Sequence, residues 1–340
     1  MITRKLGTDS VTAAAAAAVS TGALGLGLLG MSGTYGPAEE AESIATIEEA
    51  VAAGAVLLDL GDYYGMGSAE MLLGRALKQL SIPRESVQIS VKFGAQRGPD
   101  GPVFGVDARP AAVKTALAYS LTRLGVDYID IYRPGRLDPA VPIEETVGAI
   151  SELIQAGYVR HVGLSEVGPD TIRRAHAVHP VTDLQIEYSL ISRGIETEIL
   201  PTTRELGIGI TAYGVLSRGL ISGHWSADRA AVGDTRLHYP RFQGENLAHN
   251  LSLVEELRSI AETKGVSVAQ IAIAWVLAQG EDIVPLIGAR SRNRLTEALG
   301  SLDVELTPAD LEQIEKAVPR DAAVGGRYQD GLMQMLDSEK

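Results

Sequence analysis

Three residue types that together can move a proton stand at the ends of two apolar runs. In Leu57-Leu58-Asp59-Leu60-Gly61-Asp62-Tyr63-Tyr64-Gly65 a carboxylate, Asp59, ends an apolar stretch, and a phenol, Tyr64, follows five residues later. The stretch before Asp59 reads as a buried strand and Tyr64-Gly65 as the loop after it, so both side chains can face one pocket. A second apolar segment, Val87-Gln88-Ile89-Ser90-Val91, ends in Lys92. An ammonium beside a phenol favours the phenolate and so makes the phenol a better proton donor. The carboxylate would hold and neutralise that lysine. Asp59, Tyr64 and Lys92 on adjacent strand ends make a proton-delivery device suited to reducing a carbonyl. The same residues also have a plainer use, since Asp and Lys at strand ends form ordinary ion pairs and Tyr before Gly is common in loops.

The elements that must position these residues alternate. From residue 24 short apolar runs take turns with longer amphipathic ones. Strands are expected near 24–30, 55–59, 87–91, 128–132, 160–164, 183–187, 208–212 and 283–287. Helices are expected between them near 40–53, 68–79, 110–124, 143–156, 169–178, 194–206 and 267–279, with a last one near 291–300. Such alternation argues for a parallel sheet, and eight units at this length fit an α/β fold, the closed (β/α)8 TIM barrel. Pro142 with Glu144 and Glu145 suits a helix's first turn, where acids oppose the positive end of the dipole. Thr307-Pro308-Ala309-Asp310 is a capping pattern before an extra helix, and 250–263 forms a second extra one. The segments 94–109 and 213–249 are too long for simple connectors. In a barrel both follow strands, so both belong to the C-terminal, active face. No linker divides residues 1–340, and residues 1–23 read as a hairpin or loop before the first core strand.

Composition removes several function classes. The apolar fraction of 45% is enough for a large core. Net charge is −13 with no basic stripe, which argues against nucleic acid as a partner. There is no cysteine, hence no disulfide and no thiolate chemistry, which fits a reducing, cytoplasmic setting. The histidines show no metal-ligand spacing; His176 and His179 share a helix face with no third ligand in view, so no metal is expected. From Ser10 to Ala38 no charge occurs, and Arg4 and Lys5 precede a run of alanines. That pattern has the outline of a signal peptide. Its Ala, Gly, Ser and Thr content makes a poor membrane span, and an extended surface hairpin or loop is the favoured reading.

Ordered segments along nearly the whole chain resemble the aldo-keto reductases. They are Gly30-Met31-Ser32-Gly33-Thr34-Tyr35-Gly36, the run from Asp59 to Gly65, Asp127-Tyr128-Ile129-Asp130-Ile131-Tyr132, Gly163-Leu164-Ser165-Glu166, Gln185-Ile186-Glu187-Tyr188-Ser189 and Arg241-Phe242-Gln243-Gly244-Glu245-Asn246. The flavour is similar to the bacterial and fungal branch with pyridoxal reductases and general aldehyde reductases. The resemblance implies hydride transfer from a reduced nicotinamide to the carbonyl carbon of a small-molecule substrate, with Tyr64 as general acid, Lys92 lowering its proton affinity and Asp59 orienting Lys92. The family's tetrad adds a histidine at the end of the fourth strand. Here the stretch reads Tyr132-Arg133-Pro134-Gly135-Arg136-Leu137-Asp138-Pro139, and Gly135 stands in the histidine's place. Glycine would leave room for water or a bulkier substrate, and Arg133 or Arg136 is a candidate substitute donor.

No Gly-x-Gly-x-x-Gly turn opens a helix after a strand, so a Rossmann unit is disfavoured. What the resemblance implies instead is NADPH lying across the strand ends. Tyr213 matches a tyrosine that stacks on the nicotinamide, and Ser165 and Gln185 match residues that hold its carboxamide. Glu166 stands where many members have Asn. Gly214, Leu216, Ser217, Arg218 and Gly219 match a loop whose amides line the pyrophosphate. After the last strand come a turn at Gly288, also expected to bind the cofactor, and Arg290 and Arg294 at positions that grip the 2′-phosphate, with Glu297 towards the adenine. A helix start and planar guanidinium forks suit a phosphate. Tyr35, Gly135 and Trp225 are expected in the substrate pocket, with His224 and Phe242 in the same loop region. Two other readings stay open: an NADP(H)-binding sensor with little turnover, and a reductase or oxidase of altered substrate type, such as an enone or a sugar. Membrane association is not expected, and the oligomeric state is open.

Overall fold

The computed structural model describes residues 2–8, 18–99, 101, 103–226 and 234–340. In chain order, β1 (Thr3–Leu6) and β2 (Val19–Gly22) pair as an antiparallel hairpin. β3 (Gly25–Gly27), β4 (Leu57–Gly61) and β5 (Gln88–Phe93) begin the barrel. β6 (Ala95–Arg97) and β7 (Val103–Val106) form a small antiparallel ribbon above it. β8 (Ile129–Pro134), β9 (Val159–Ser165), β10 (Val181–Glu187), β11 (Gly209–Tyr213) and β12 (Ile283–Ile287) complete it. The eight parallel strands close where β12 pairs with β3, Leu286 opposite Gly25. This is the (β/α)8 barrel expected from the alternation of apolar runs.

Helices α1 (Glu40–Ala52), α2 (Ser68–Gln79), α3 (Pro110–Leu124), α4 (Ile143–Gln155), α5 (Pro169–Val178) and α6 (Ile199–Glu205) cover the barrel. Proline begins α3 and α5, where its missing N–H would have had no helical partner. α7 (Gly244–Lys264) and α10 (Pro308–Ala317) are the two additions. Between them lie α8 (Val268–Ala278), which starts in a Ser267–Gln270 capping box, and α9 (Arg292–Leu299). Thr307 and Asp310 form the reciprocal cap of α10. A short α11 (Asp330–Met333) lies in the C-terminal segment. Among the described residues no single helix is long and apolar enough to cross a membrane.

Two elements are shorter than the pattern suggests. β3 ends at Gly27 because Leu29–Ser32 turns away as a 3-10 helix. α6 starts at Ile199, after a separate 3-10 turn over Gly194–Glu196. Alanines 13–17 lie outside the described residues, as do 100, 102 and 227–233 of the two long loops.

The hairpin that precedes β3 is not confined to the surface. Its Leu6 and Val19 are buried against Leu57, Ile131, Val284 and Leu286 inside the N-terminal mouth of the barrel. Gly209 permits this, since a Cβ there would lie 2.7 Å from the Leu6 Cα. Arg4 fastens the hairpin by donating to the carbonyls of Leu277 and Gly280, each at 2.8 Å. This plug closes the floor of the barrel and leaves the polar residues above it away from water. Leu6→Ala is expected to lower stability by about 2–5 kcal/mol, the usual cost of a buried leucine lost to a cavity. Urea unfolding of the two proteins measures it; an unchanged midpoint would show that the hairpin carries no packing energy.

Candidate functional site

The carboxylate and the lysine meet because of strand register. Asp59 on β4 lies opposite Ser90 on β5, and Lys92 is two residues further along the same face. The Lys92 Nζ sits 2.6 Å from Asp59 Oδ2, with both side chains almost wholly buried. The other carboxylate oxygen accepts from Gln185 Nε2 at 2.7 Å and from Ser90 Oγ at 3.1 Å. Tyr64 follows β4 in a turn that needs glycine on both sides. A Cβ at Gly61 would lie 2.9 Å from the Tyr64 ring, and Gly65 has φ +55 with Ser68 Oγ only 2.1 Å from its Cβ position. The Lys92 ammonium is 5.0 Å from the Tyr64 ring centroid.

This geometry changes the expected electrostatics. Burial pushes the Tyr64 phenol well above its ordinary value, and Tyr63, Asp59, Tyr35 and Tyr328 add to the rise. Burial also brings Lys92 down to about 8, against the pull of Asp59. The expected lowering of the Tyr64 proton affinity by Lys92 is therefore not the net result: desolvation wins, with Tyr63 and Asp59 adding to it. Tyr64 holds its proton at neutral pH. Neither the Tyr63 nor the Tyr64 hydroxyl has a hydrogen-bond partner among the described residues.

Arg133 does not supply a donor to the pocket. It lies wholly buried inside the barrel below Asp59, paired with Asp183 at 3.0 Å and donating to Ser90 Oγ at 2.7 Å. Thr211 donates to the same Asp183 carboxylate. Gly163 makes the room, because a Cβ there would sit 2.7 Å from Asp183 Oδ1 and 3.1 Å from Arg133 Nε. The space expected at Gly135 is also taken. A Cβ at that position would meet the Tyr63 hydroxyl at 3.2 Å and the Phe93 carbonyl at 3.3 Å. Arg136 does reach the pocket wall, and its guanidinium donates to the Gly135 carbonyl at 2.6 Å.

Above these residues opens a cavity of about 710 Å3. Asp59, Tyr64 and Lys92 line it, as do Tyr35, Gly135 and Trp225. His224 lines it too, while Phe242 stands behind Trp225 with ring centroids 4.8 Å apart. Of the expected cofactor residues, Ser165, Gln185, Tyr213, Gly214, Leu216, Arg218, Gly219, Gly288, Arg290, Arg294 and Glu297 line the same cavity. Ser217 does not; it is buried behind them, and the φ values of Ser217 (45), Arg218 (57) and Gly219 (94) show a left-handed stretch. Such strained backbone is concentrated at functional loops.

The cavity fits a dinucleotide on its own features. The Ser165 hydroxyl is buried with no partner, although it sits on the wall. Gln185 is turned to Asp59. Arg218, Arg236, Arg290 and Arg294 gather round one end. Arg290 donates to the carbonyls of Tyr35 and Gly36 at 3.0 and 3.2 Å, while Arg294 and His224 both bond Glu297. Arg236 is not among the expected residues; it reaches back from the long loop over Trp225 and Tyr35, held by Asp234. Among the described residues no cluster of three or more His, Cys, Asp or Glu is placed to hold a metal ion.

The C-terminal segment is the largest surprise. Tyr328, Leu332 and Met335 line the cavity. Arg327 drives under the face to pair with Glu166 and Glu187, at 2.5 and 3.3 Å, and with Glu339 at 2.8 Å. Tyr213 donates to Glu166 at 2.7 Å and shares a hydrogen bond with Tyr328 at 2.8 Å. The acid at position 166 is thus the anchor of the tail. Nothing in the sequence marks Arg327, whose partners Glu166 and Glu187 lie far away along the chain.

Comparison with known proteins agrees with this architecture. Residues 23–319 match the profile of the Aldo/keto reductase family. The chain is 45% identical over 311 residues to "Probable aldo-keto reductase 1" of Glycine max, covering 91% of this chain and 89% of that one. Among solved structures it is similar to a glycerol dehydrogenase from Gluconobacter oxydans, with TM-score 0.79, 27% identity and 94% of each chain covered. A thermostable aldo-keto reductase solved with the inhibitor epalrestat shares the fold, with TM-score 0.72 at 24% identity over 93% of this chain and 100% of that one.

Burial raises the Glu166 carboxyl, but Arg327 and its hydrogen bonds outweigh burial and bring it from 4.5 to about 2. A depressed acid contributes stability that is complete above its unfolded value and lost as pH falls through the folded one. Glu166→Gln is expected to destabilise the protein at pH 7, by up to about 3–5 kcal/mol for a broken buried pair. The gap to wild type should narrow between pH 4.5 and 2. Urea midpoints across that range test this; a gap constant with pH would remove the ion pair as its cause.

Proposed function

The chain belongs to the aldo/keto reductase family, and we propose that it reduces an aldehyde or ketone to an alcohol with NADPH, using Tyr64 as the general acid. The observation that carries this reading is Tyr64 itself: a half-buried, protonated phenol on the cavity wall, unpaired among the described residues, beside the Asp59–Lys92 ion pair. When bound, the cofactor supplies hydride to the carbonyl carbon. The carbonyl oxygen then gains negative charge, which draws the Tyr64 proton. Once the phenol gives it up, the Lys92 ammonium near its ring stabilises the phenolate left behind. Asp59 keeps Lys92 in place and is itself kept by Gln185 and Ser90. Ser165 offers an unused hydroxyl to the carboxamide, and Tyr213 a ring beside it. Arg290 and Arg294 support a preference for the 2′-phosphate, since their guanidinium groups stand at the start of α9. A cofactor-binding protein with little turnover is the second reading, favoured by the missing side chain at Gly135.

NADPH titration followed by its fluorescence, then its consumption with a panel of aldehydes including pyridoxal, separates the two readings. Tyr64→Phe is expected to lower kcat by about 10²–10⁴-fold, the usual weight of a general acid, with NADPH affinity unchanged. Turnover indifferent to Tyr64→Phe would remove the acid assignment. Arg290→Ala with Arg294→Ala should weaken NADPH by at least about tenfold, the loss of a charge-assisted fork on a phosphate, and leave NADH binding little changed; equal losses for both cofactors would count against the phosphate site.

A further inference from the structure

We propose that Tyr63 is a second hydrogen-bond donor to the substrate's carbonyl oxygen, working beside Tyr64 from the space that Gly135 leaves open; this rests on the carbonyl-reducing function proposed above. The two tyrosines are consecutive, yet both line the cavity. Their rings meet edge to face, with centroids 5.0 Å apart and planes at 89°. Gly61 seats both, since a Cβ there would lie 2.9 Å from the Tyr64 ring and 3.2 Å from the Tyr63 ring.

Gly135 is the condition for this placement. A side chain there would start 3.2 Å from the Tyr63 hydroxyl. The Phe93 carbonyl, fixed by accepting the Gly135 N–H at 2.8 Å, lies 3.3 Å from the same point and crowds it from the other side. Glycine at 135 and tyrosine at 63 are therefore one arrangement: the phenol stands where a side chain from β8 would project. Of the other donors nearby, Lys92 is spent on Asp59, Arg133 lies beneath the cavity on Asp183, and Arg136 gives one N–H to the Gly135 carbonyl. The Tyr63 hydroxyl lies beside Gly135, which lines the cavity with it, and has no hydrogen-bond partner among the described residues. Burial pushes it up to about 12, so it remains a donor at neutral pH. A carbonyl oxygen has two lone pairs and accepts two such bonds. With Tyr64 giving its proton to one, Tyr63 holds the other and fixes the carbonyl's direction.

The test uses the full chain, NADPH and an aldehyde that the wild type consumes. Tyr63→Phe should lower kcat by about 10²-fold, the cost of one donor to a developing oxyanion. NADPH affinity and melting temperature should stay as in wild type. The primary amide matching that aldehyde, an unreactive carbonyl ligand, should bind several-fold more weakly. Gly135→Ala, which displaces the phenol without removing it, should also lower kcat, and when combined with Tyr63→Phe should add no further loss. That second route keeps the test decisive if Tyr63→Phe folds poorly. Full kcat in Tyr63→Phe, with Tyr64→Phe inactive, overturns the Tyr63 role and leaves the reductase reading standing. Additive losses at 63 and 135 also overturn it. A wild type that binds NADPH but consumes none with any aldehyde overturns both.

Discussion

A lysine buried under a cavity must have its charge met, and the rest of this site follows from that. Burying an unpaired ammonium costs several kcal/mol. Asp59 offsets that cost for Lys92 at 2.6 Å, but the carboxylate then needs donors of its own. Gln185 and Ser90 supply them from β10 and β5. Ser90 is held by Arg133 of β8, Arg133 by Asp183 of β10, and Asp183 by Thr211 of β11. One demand thus propagates through five of the eight strands. The interior of the barrel becomes two layers, apolar around Leu6 and Val19 below, polar around Asp59 above. A site built this way is rigid, because each member's rotamer is fixed by the next hydrogen bond.

That chain of satisfactions also explains where glycine is required. Gly163 makes room for the Arg133–Asp183 pair, and Gly61 makes room for the two tyrosines that cross the strand end. Each is a strand position where a larger neighbour approaches closely, a need set by three-dimensional packing.

How much of this is legible in the chain follows from the range of each interaction. The eight strands and the Asp59–Lys92 meeting are local facts: apolar runs ending in a polar residue, repeated at barrel spacing. β3 and α6 come out too long from the pattern because composition does not mark where a ladder stops. Arg133 is misplaced for a related reason. Ile129, Ile131 and Tyr132 are apolar on both faces of a buried strand, so alternation does not reveal which way residue 133 points. Tyr63 escapes notice because two adjacent tyrosines look alike until the loop is folded. Arg327 is invisible altogether. Its partners Glu166 and Glu187 lie more than a hundred residues away, and no periodic pattern runs through the tail.

Charge divides the cavity into two ends. At its inner end Lys92 is neutralised by Asp59, and behind the wall Arg327 is neutralised by Glu166 and Glu187. Arg136 also stands there on the wall, donating to the Gly135 carbonyl. At the outer end the balance changes. Arg290 is oriented by the backbone carbonyls of Tyr35, Gly36 and Pro37, which fix a guanidinium without cancelling its charge. Arg294 shares Glu297 with His224 and remains partly exposed. In a chain of net charge −13, Arg290 has no carboxylate within ion-pair distance among the described residues. Field lines between low-dielectric walls concentrate on such a group. The cavity thus has unpaired guanidinium charge at its Arg290 end and an ion-paired lysine beside Tyr64, the division that the proposed phosphorylated dinucleotide and carbonyl substrate would use.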